Sequence, residues 1–234
     1  MNLRFSLILA VTMSLPFAVL SSVAQNAAPP GSGDHFKDTS MFKPPAGAKV
    51  AVLEWEDLTC PACSHAYPIV HAAVAHYGIP LVEKDFLLGG PHEMLGDREA
   101  AIWSRYLHDK VSPKMADEYR AAVFAAQTSI ANKDDMMNFT RRFFQTHNLQ
   151  LPFVPDPTGQ LAAEIQADKA QGDRMGLQHT PTIIVCSAHQ WVQVTDVSNL
   201  YQTIEQVMAE AGSSTPAKSA STPVKKTPVK KTAH

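Results

Sequence analysis

Two cysteines stand three residues apart in Cys60-Pro61-Ala62-Cys63, and sulfurs at that spacing can close to a disulfide and reopen to a dithiol. The chemistry such a pair offers is electron transfer between sulfurs. Two other arrangements remain open for the same residues. One is half of a zinc site, completed by Cys186 and a histidine, since zinc sites usually take four ligands. The other is a purely structural disulfide.

What separates these readings is the element that carries the pair. Lys49-Val50-Ala51-Val52-Leu53 reads as a buried strand, and residues 61–77 read as a helix. The motif then lies where a strand turns into a helix, and the unsatisfied N–H groups and dipole there stabilise a thiolate on the first sulfur. That makes Cys60 the nucleophile and Cys63 the resolving thiol. Pro61 suits the first helical turn, Pro68 should kink the helix, and Gly78 should cap its end.

The surrounding charges carry further expectations. Glu54 sits in a strand that should be buried, and burial raises a carboxyl pKa. Glu56 and Asp57, just before Cys60, should disfavour its thiolate; His65 and His179 could compensate as donors or cations. Cys186, in a later strand, reads as a buried free thiol acting as a small hydrophobe.

These residues, with Thr180-Pro181-Thr182-Ile183 ahead of a second β run, resemble the thioredoxin superfamily and in particular the secreted DsbA-like thiol:disulfide oxidoreductases. Glu54, six residues before Cys60, matches that family's buried acid beneath the resolving cysteine, and Pro68 its kinking proline; the match implies proton exchange between Glu54 and Cys63, with Lys84 on the next strand as a candidate charge partner. Residues 176–182 are similar to the loop that carries the family's cis-proline opposite the C-x-x-C. The resemblance implies that the backbone of Thr180 pairs with an incoming peptide close to Cys60. Ala62 departs from the pattern, since DsbA has a histidine there that supports the thiolate, so this protein is expected to be a milder oxidant.

The N-terminus speaks to compartment. A basic start at Arg4, an apolar run over 5–20 and Ser22-Val23-Ala24 before Gln25 form a Sec-type signal peptide. The chain of 234 residues has a net charge of −2, but five lysines crowd its tail and one arginine lies in the leader, so the body between them carries −8. The tail repeats Thr222-Pro223-Val224-Lys225-Lys226 as Thr227-Pro228-Val229-Lys230-Lys231, without a core-forming face, and should be disordered.

The layout expected is an α/β thioredoxin-like fold with an inserted helical subdomain. A signal peptide spans 1–24 and an N-terminal arm 25–47. The first part of the thioredoxin-like domain spans 48–98, a helical insertion 99–176, the second part 177–212, and the tail 213–234. Within it, strands are expected at 48–54, 80–86, 182–187 and 191–195, and helices at 61–77, 99–108, 114–129, 134–147, 158–175 and 198–211. Met115, Tyr119, Phe143 and Phe144 fall at helical spacing, which favours structural cover over a substrate-selecting lid for the insertion.

The function expected is an exported, soluble, monomeric oxidase of the periplasm or an equivalent space, passing a Cys60–Cys63 disulfide to reduced cysteine-containing proteins. It needs no cofactor or metal beyond that disulfide and no nucleic acid. The resemblance implies a membrane reoxidase of DsbB or VKOR type. A reductase or isomerase of the same fold is the nearest alternative, and a non-catalytic peptide- or metal-binding module the more distant one.

Overall fold

The protein is described here from a computed structural model covering residues 35–213; the leader, residues 25–34 of the arm and the tail beyond Ser213 lie outside the described residues. Strand β1 (Val50–Glu56) leads into helix α1 (Pro61–Tyr77), which returns the chain to strand β2 (Leu81–Asp85). β1 and β2 are parallel, a pairing that requires such a crossover. Strands β3 (Thr182–Ser187) and β4 (Trp191–Val194) complete a sheet of order β2-β1-β3-β4, with β3 antiparallel to both neighbours.

Strand alternation divides the core into two layers. Val50, Val52, Ile183 and Val185 pack with Val70 and Val74 of α1 and with Ile204 and Val207 of the last helix, α7 (Leu200–Ser213). Ala51, Leu53, Trp55, Ile184 and Cys186 face the other way, against Phe42, Phe86, Met175 and Leu177. With a side-chain period of two, the same alternation places Glu54 and Glu56 on the α1 side of the sheet. Gly78, at φ +62°, closes α1 with its N–H on Val74 O, and the helix runs on through Pro68. The described part of the arm is anchored, with Phe42 buried against Trp55 and Trp191.

Between β2 and β3 come α2 (Pro91–Leu95), α3 (Asp97–Lys110), α4 (Pro113–Ala126), α5 (Lys133–Thr146) and α6 (Gln160–Met175). The five-residue α2 was not expected from the sequence, since it is too short to show a helical period and is delimited by Gly90 and Gly96. Ser112 and Asn132 cap α4 and α5 by accepting from the N–H groups of Met115 and Asp135, each cap stabilising by about 1 kcal/mol. Gly172 of α6 lies against Phe86, where a Cβ would stand 2.5 Å from the ring, so only glycine permits that approach.

The core of the inserted helices is continuous with the cysteine pair. Trp103, Leu107, Tyr119, Val123, Phe124, Phe143 and Phe144 form one cluster with Leu58, Cys60, Cys63 and Tyr67, and Met115 packs on it partly exposed. The insertion is therefore core, as its periodicity suggested, and also a wall of the site.

Candidate active site

Asp57 builds the turn that delivers Cys60. Its carboxylate accepts from Thr59 N (2.8 Å), Thr59 Oγ1 (2.7 Å) and Leu88 N (2.9 Å), while its carbonyl accepts from Cys60 N (2.9 Å). Thr59 Oγ1 also lies 2.9 Å from His92 Nδ1 on α2. Gln127, in a short 3-10 turn after α4, donates to the carbonyls of Leu58 (2.8 Å) and Cys60 (3.1 Å). Ser64 Oγ donates to Phe124 O (3.1 Å) and Tyr67 OH to Asp117 O (2.9 Å), so α1 is docked on α4 by directed bonds as well as apolar contact.

Cys60 is the N-cap of α1 and Pro61 follows at the first helical position. Its thiol is pulled down to about 5, first by the hydrogen bond from the Cys63 thiol, with further support from Thr180 and the N–H groups of Cys63 and Ala62; burial works against them. Thr180 O lies 3.5 Å from Cys60 Sγ, within reach as an acceptor of the S–H. The Thr180 hydroxyl is buried with no other partner, leaving it free to donate once the sulfur is ionised. The Thr180–Pro181 bond is cis, and the loop is pinned by Thr182 Oγ1 donating to His179 O (2.8 Å).

Cys63 is fully buried. Burial, its bond to Cys60 and the charge of Glu56 all hold it as a thiol far above the usual range, with only the Asp57 N–H opposing them. Two sulfurs one helical turn apart thus have opposite acidities. All three cysteines are free thiols here.

Glu54 and Glu56 are both buried on the α1 face. Burial, then the charges of Glu56 and Glu83, push the Glu54 carboxyl well up, and neither of its oxygens has a hydrogen-bond partner. Glu56 is raised to about 7 by burial, against the pull of Arg120. Arg120 Nε donates to Glu56 Oε1 at 2.8 Å, a second guanidinium nitrogen bonds the same oxygen, and a third donates to Ser104 Oγ at 3.1 Å.

Several expectations need correcting. Glu56 does not crowd the Cys60 sulfur: strand β1 ends two residues later than expected, which turns Glu56 inward beneath α1, where it bears on Cys63 and is paired with Arg120. Asp57 builds the turn before Cys60 and bonds its backbone. Lys84 is not the partner of Glu54. It sits in register with Trp55, so it points to the other face, and Nζ binds Asp168 of α6 at 2.9 Å; Glu83 is the residue level with Glu54.

His65 and His179 are both exposed, and the side chains that bear on Cys60 are those of Cys63 and Thr180. Ala62 is exposed and contributes its N–H. Cys186 lies in the cluster beyond the sheet, away from the pair, where burial pushes its thiol up to about 12. Arg120 and Gln127 were missed, because a buried arginine in an amphipathic helix looks like any other surface cation until the helix has a neighbour.

The family model described as thioredoxin matches residues 38–205. The chain belongs to this thioredoxin family. No curated protein matches the sequence. Its fold is that of solved DsbA-like structures at low identity. Alpha-DsbA1 of Wolbachia pipientis is 16% identical over 72% of this chain and 90% of its own, with a TM-score of 0.56. BdbD of Bacillus subtilis is 18% identical over 73% and 91%, with a TM-score of 0.56. ScsC of Proteus mirabilis is 15% identical over 72% and 73%, with a TM-score of 0.54. In this thioredoxin-family chain the inserted helices pack beside the first helix. Among the described residues no helix is long and apolar enough to cross a membrane.

Proposed function

We propose that the protein is a thiol:disulfide oxidoreductase that works as an oxidase of exported proteins. The observation that carries this reading is the contrast at the pair: Cys60 is held near 5 while Cys63, one turn on, stays protonated and buried. A thiolate stabilised this strongly favours the reduced form, and a protein whose reduced form is favoured gives its disulfide away. A value near 5 lies between about 7 for thioredoxin and about 3.5 for DsbA.

The reaction starts from the Cys60–Cys63 disulfide. A substrate thiolate attacks Cys60 Sγ, the bond to Cys63 breaks, and Cys63 leaves as a thiolate that takes up a proton. A second substrate thiolate then attacks the substrate sulfur of the mixed disulfide, expelling Cys60 as a thiolate. The substrate has lost two electrons to the pair. The backbone beside Thr180 and Pro181 aligns the incoming peptide, and Glu54, kept protonated by burial and its acidic neighbours, is the buried proton store beneath the pair.

The cycle closes when a membrane partner of DsbB or VKOR type removes the two electrons, with the protein exported by the leader at 1–24 and acting as a soluble monomer. A disulfide reductase or isomerase is the second reading, supported by the same intermediate position of Cys60 between the two relatives. The test is oxidation of a reduced secreted protein followed by gel after thiol trapping. Cys60→Ser should abolish turnover and Cys63→Ser should accumulate mixed disulfides. Equal activity of Cys60→Ser and the parent overturns the mechanism, and an equilibrium potential with glutathione near the −270 mV of thioredoxin overturns the direction.

A further inference from the structure

Asp57 stands just ahead of Cys60 in the chain, where its charge should oppose the thiolate, yet the groups that set Cys60 are Cys63, Thr180 and the N–H groups of the first helical turn. The way Asp57 is held accounts for this. Its backbone serves the cysteine pair, the carbonyl accepting from Cys60 N (2.9 Å) and the N–H supporting Cys63. Its carboxylate is fully buried and turns to the segment that follows β2: Oδ2 accepts from Leu88 N (2.9 Å) and lies 4.0 Å from His92 Nδ1. The charge is felt on that side, since Asp97 of α3 is raised by burial and then by Asp57.

Oδ1 of the same carboxylate accepts from Thr59 N (2.8 Å) and Thr59 Oγ1 (2.7 Å). The Thr59 hydroxyl has one hydrogen, and the bond to the buried carboxylate takes it. His92 Nδ1, 2.9 Å from Thr59 Oγ1, is then the donor, which assigns the imidazole hydrogen to Nδ1. The result is a directed chain from His92 through Thr59 to Asp57, in which each bond polarises the next.

The helix that brings His92 has little else to do. α2 buries none of its residues and runs between Gly90 and Gly96, both at positive φ. Core packing therefore does not account for its contact with Thr59, the residue next to the nucleophile. On the other flank Gln127 holds the carbonyls of Leu58 (2.8 Å) and Cys60 (3.1 Å), so the turn is gripped from two sides.

We propose that His92 is a positioning residue for the nucleophile: through Thr59 it fixes the Asp57 carboxylate on the α2 side of the turn, so that this acid builds the end of α1 without opposing the charge on Cys60 Sγ. His92 touches no substrate. Without it the carboxylate loses the bond that polarises its Thr59 partner, and its charge bears more heavily on the thiolate. The reduced form is then less favoured and the pair a weaker oxidant.

This inference rests on the oxidoreductase reading, and the experiment keeps the two apart. Cys60 of the reduced full chain is titrated through the ultraviolet absorption of its thiolate, and the potential of the pair is measured against glutathione. His92→Phe removes the donor and should raise the Cys60 midpoint by about half a unit or more, with a matching fall in oxidising power. His92→Asn sets an amide N–H where Nδ1 stood and should return most of the parental value. Thr59→Val should shift the midpoint at least as far as His92→Phe, and the double variant no further than Thr59→Val alone, because the two side chains act in series. Urea midpoints of the same variants separate this shift from a loosened fold. A parental midpoint in His92→Phe, full additivity of the two substitutions, or an Asn variant shifted as far as the Phe variant overturns the role of His92 and leaves the oxidoreductase reading standing. A parent whose Cys60 titrates at the ordinary thiol value near 8.5 overturns that reading itself.

Discussion

The two sulfurs of the cysteine pair share one apolar cluster but meet different neighbours in it. Cys60 is surrounded by backbone N–H groups of the first helical turn and by Thr180. Cys63, one turn further, is embedded among Tyr67, Tyr119, Val123 and Phe124, with Glu56 behind it. The helix end, the Thr180 loop and the Cys63 thiol make Cys60 acidic, whereas burial against α1 and the inserted helices, with Glu56 of β1, keeps Cys63 silent. Two identical side chains therefore differ in chemistry because the turn between them carries one out of the end of the helix and the other under α4.

The sharpest way to break this contrast is to remove the bond between the two sulfurs. Cys63→Ala takes away the hydrogen bond that contributes most to the acidity of Cys60, so the Cys60 titration should move up from about 5 by one unit or more. Thr180→Val should move it in the same direction by less. Ultraviolet absorption of the thiolate against pH reads both, and a Cys63→Ala midpoint unchanged from the parent would show that the helix end alone holds Cys60.

A smaller effect tests the back of the site through stability. Glu54 and Glu56 have folded pKa values above the 4.5 of an ordinary glutamate, so above that pH the unfolded chain releases protons that the native state keeps. Stability contributed by these acids is complete below about 4.5 and is lost as pH rises, the Glu56 share by about pH 7 and up to about 3 kcal/mol in size. Reduced Cys60 works the other way, since its lowered pKa adds stability as pH rises above 5. The oxidised protein, where Cys60 cannot titrate, isolates the acids. Urea midpoints between pH 4.5 and 7 should fall in the oxidised parent and fall less in Glu54→Gln; a rising midpoint in the parent would contradict the burial of the acids.

The smallest effect belongs to Cys186, which touches neither side of the pair. Cys186→Ala should leave turnover intact and lower stability by about 1 kcal/mol through a small cavity. Loss of turnover at unchanged stability would place the third thiol in the mechanism.

How much of this was legible in the chain follows the range of the interactions. The helix start at Pro61 and the buried position of Glu54 come from local pattern, and the loop at Thr180 and Pro181 from resemblance; these lie where they were expected, while β1 starts and ends two residues later than its expected 48–54. Glu56 was misread because a strand end two residues later turns the same acid from the mouth of the site to its floor. Lys84 was misread because the face it occupies depends on its register with β1, which the sequence of β2 alone does not reveal. Arg120 and Gln127 acquire their roles only when α4 docks on α1, a contact more than fifty residues away in the chain.

The central claim is that one sulfur of the motif is a stabilised thiolate and the other a sealed thiol. Iodoacetamide labelling of the fully reduced protein across pH 3 to 10, with site-resolved mass spectrometry, tests it directly. Cys60 should label with a midpoint near pH 5, while Cys63 and Cys186 remain unlabelled until the protein unfolds. A Cys60 midpoint at the ordinary thiol value near 8.5, or labelling of Cys63 ahead of Cys60, would contradict the account.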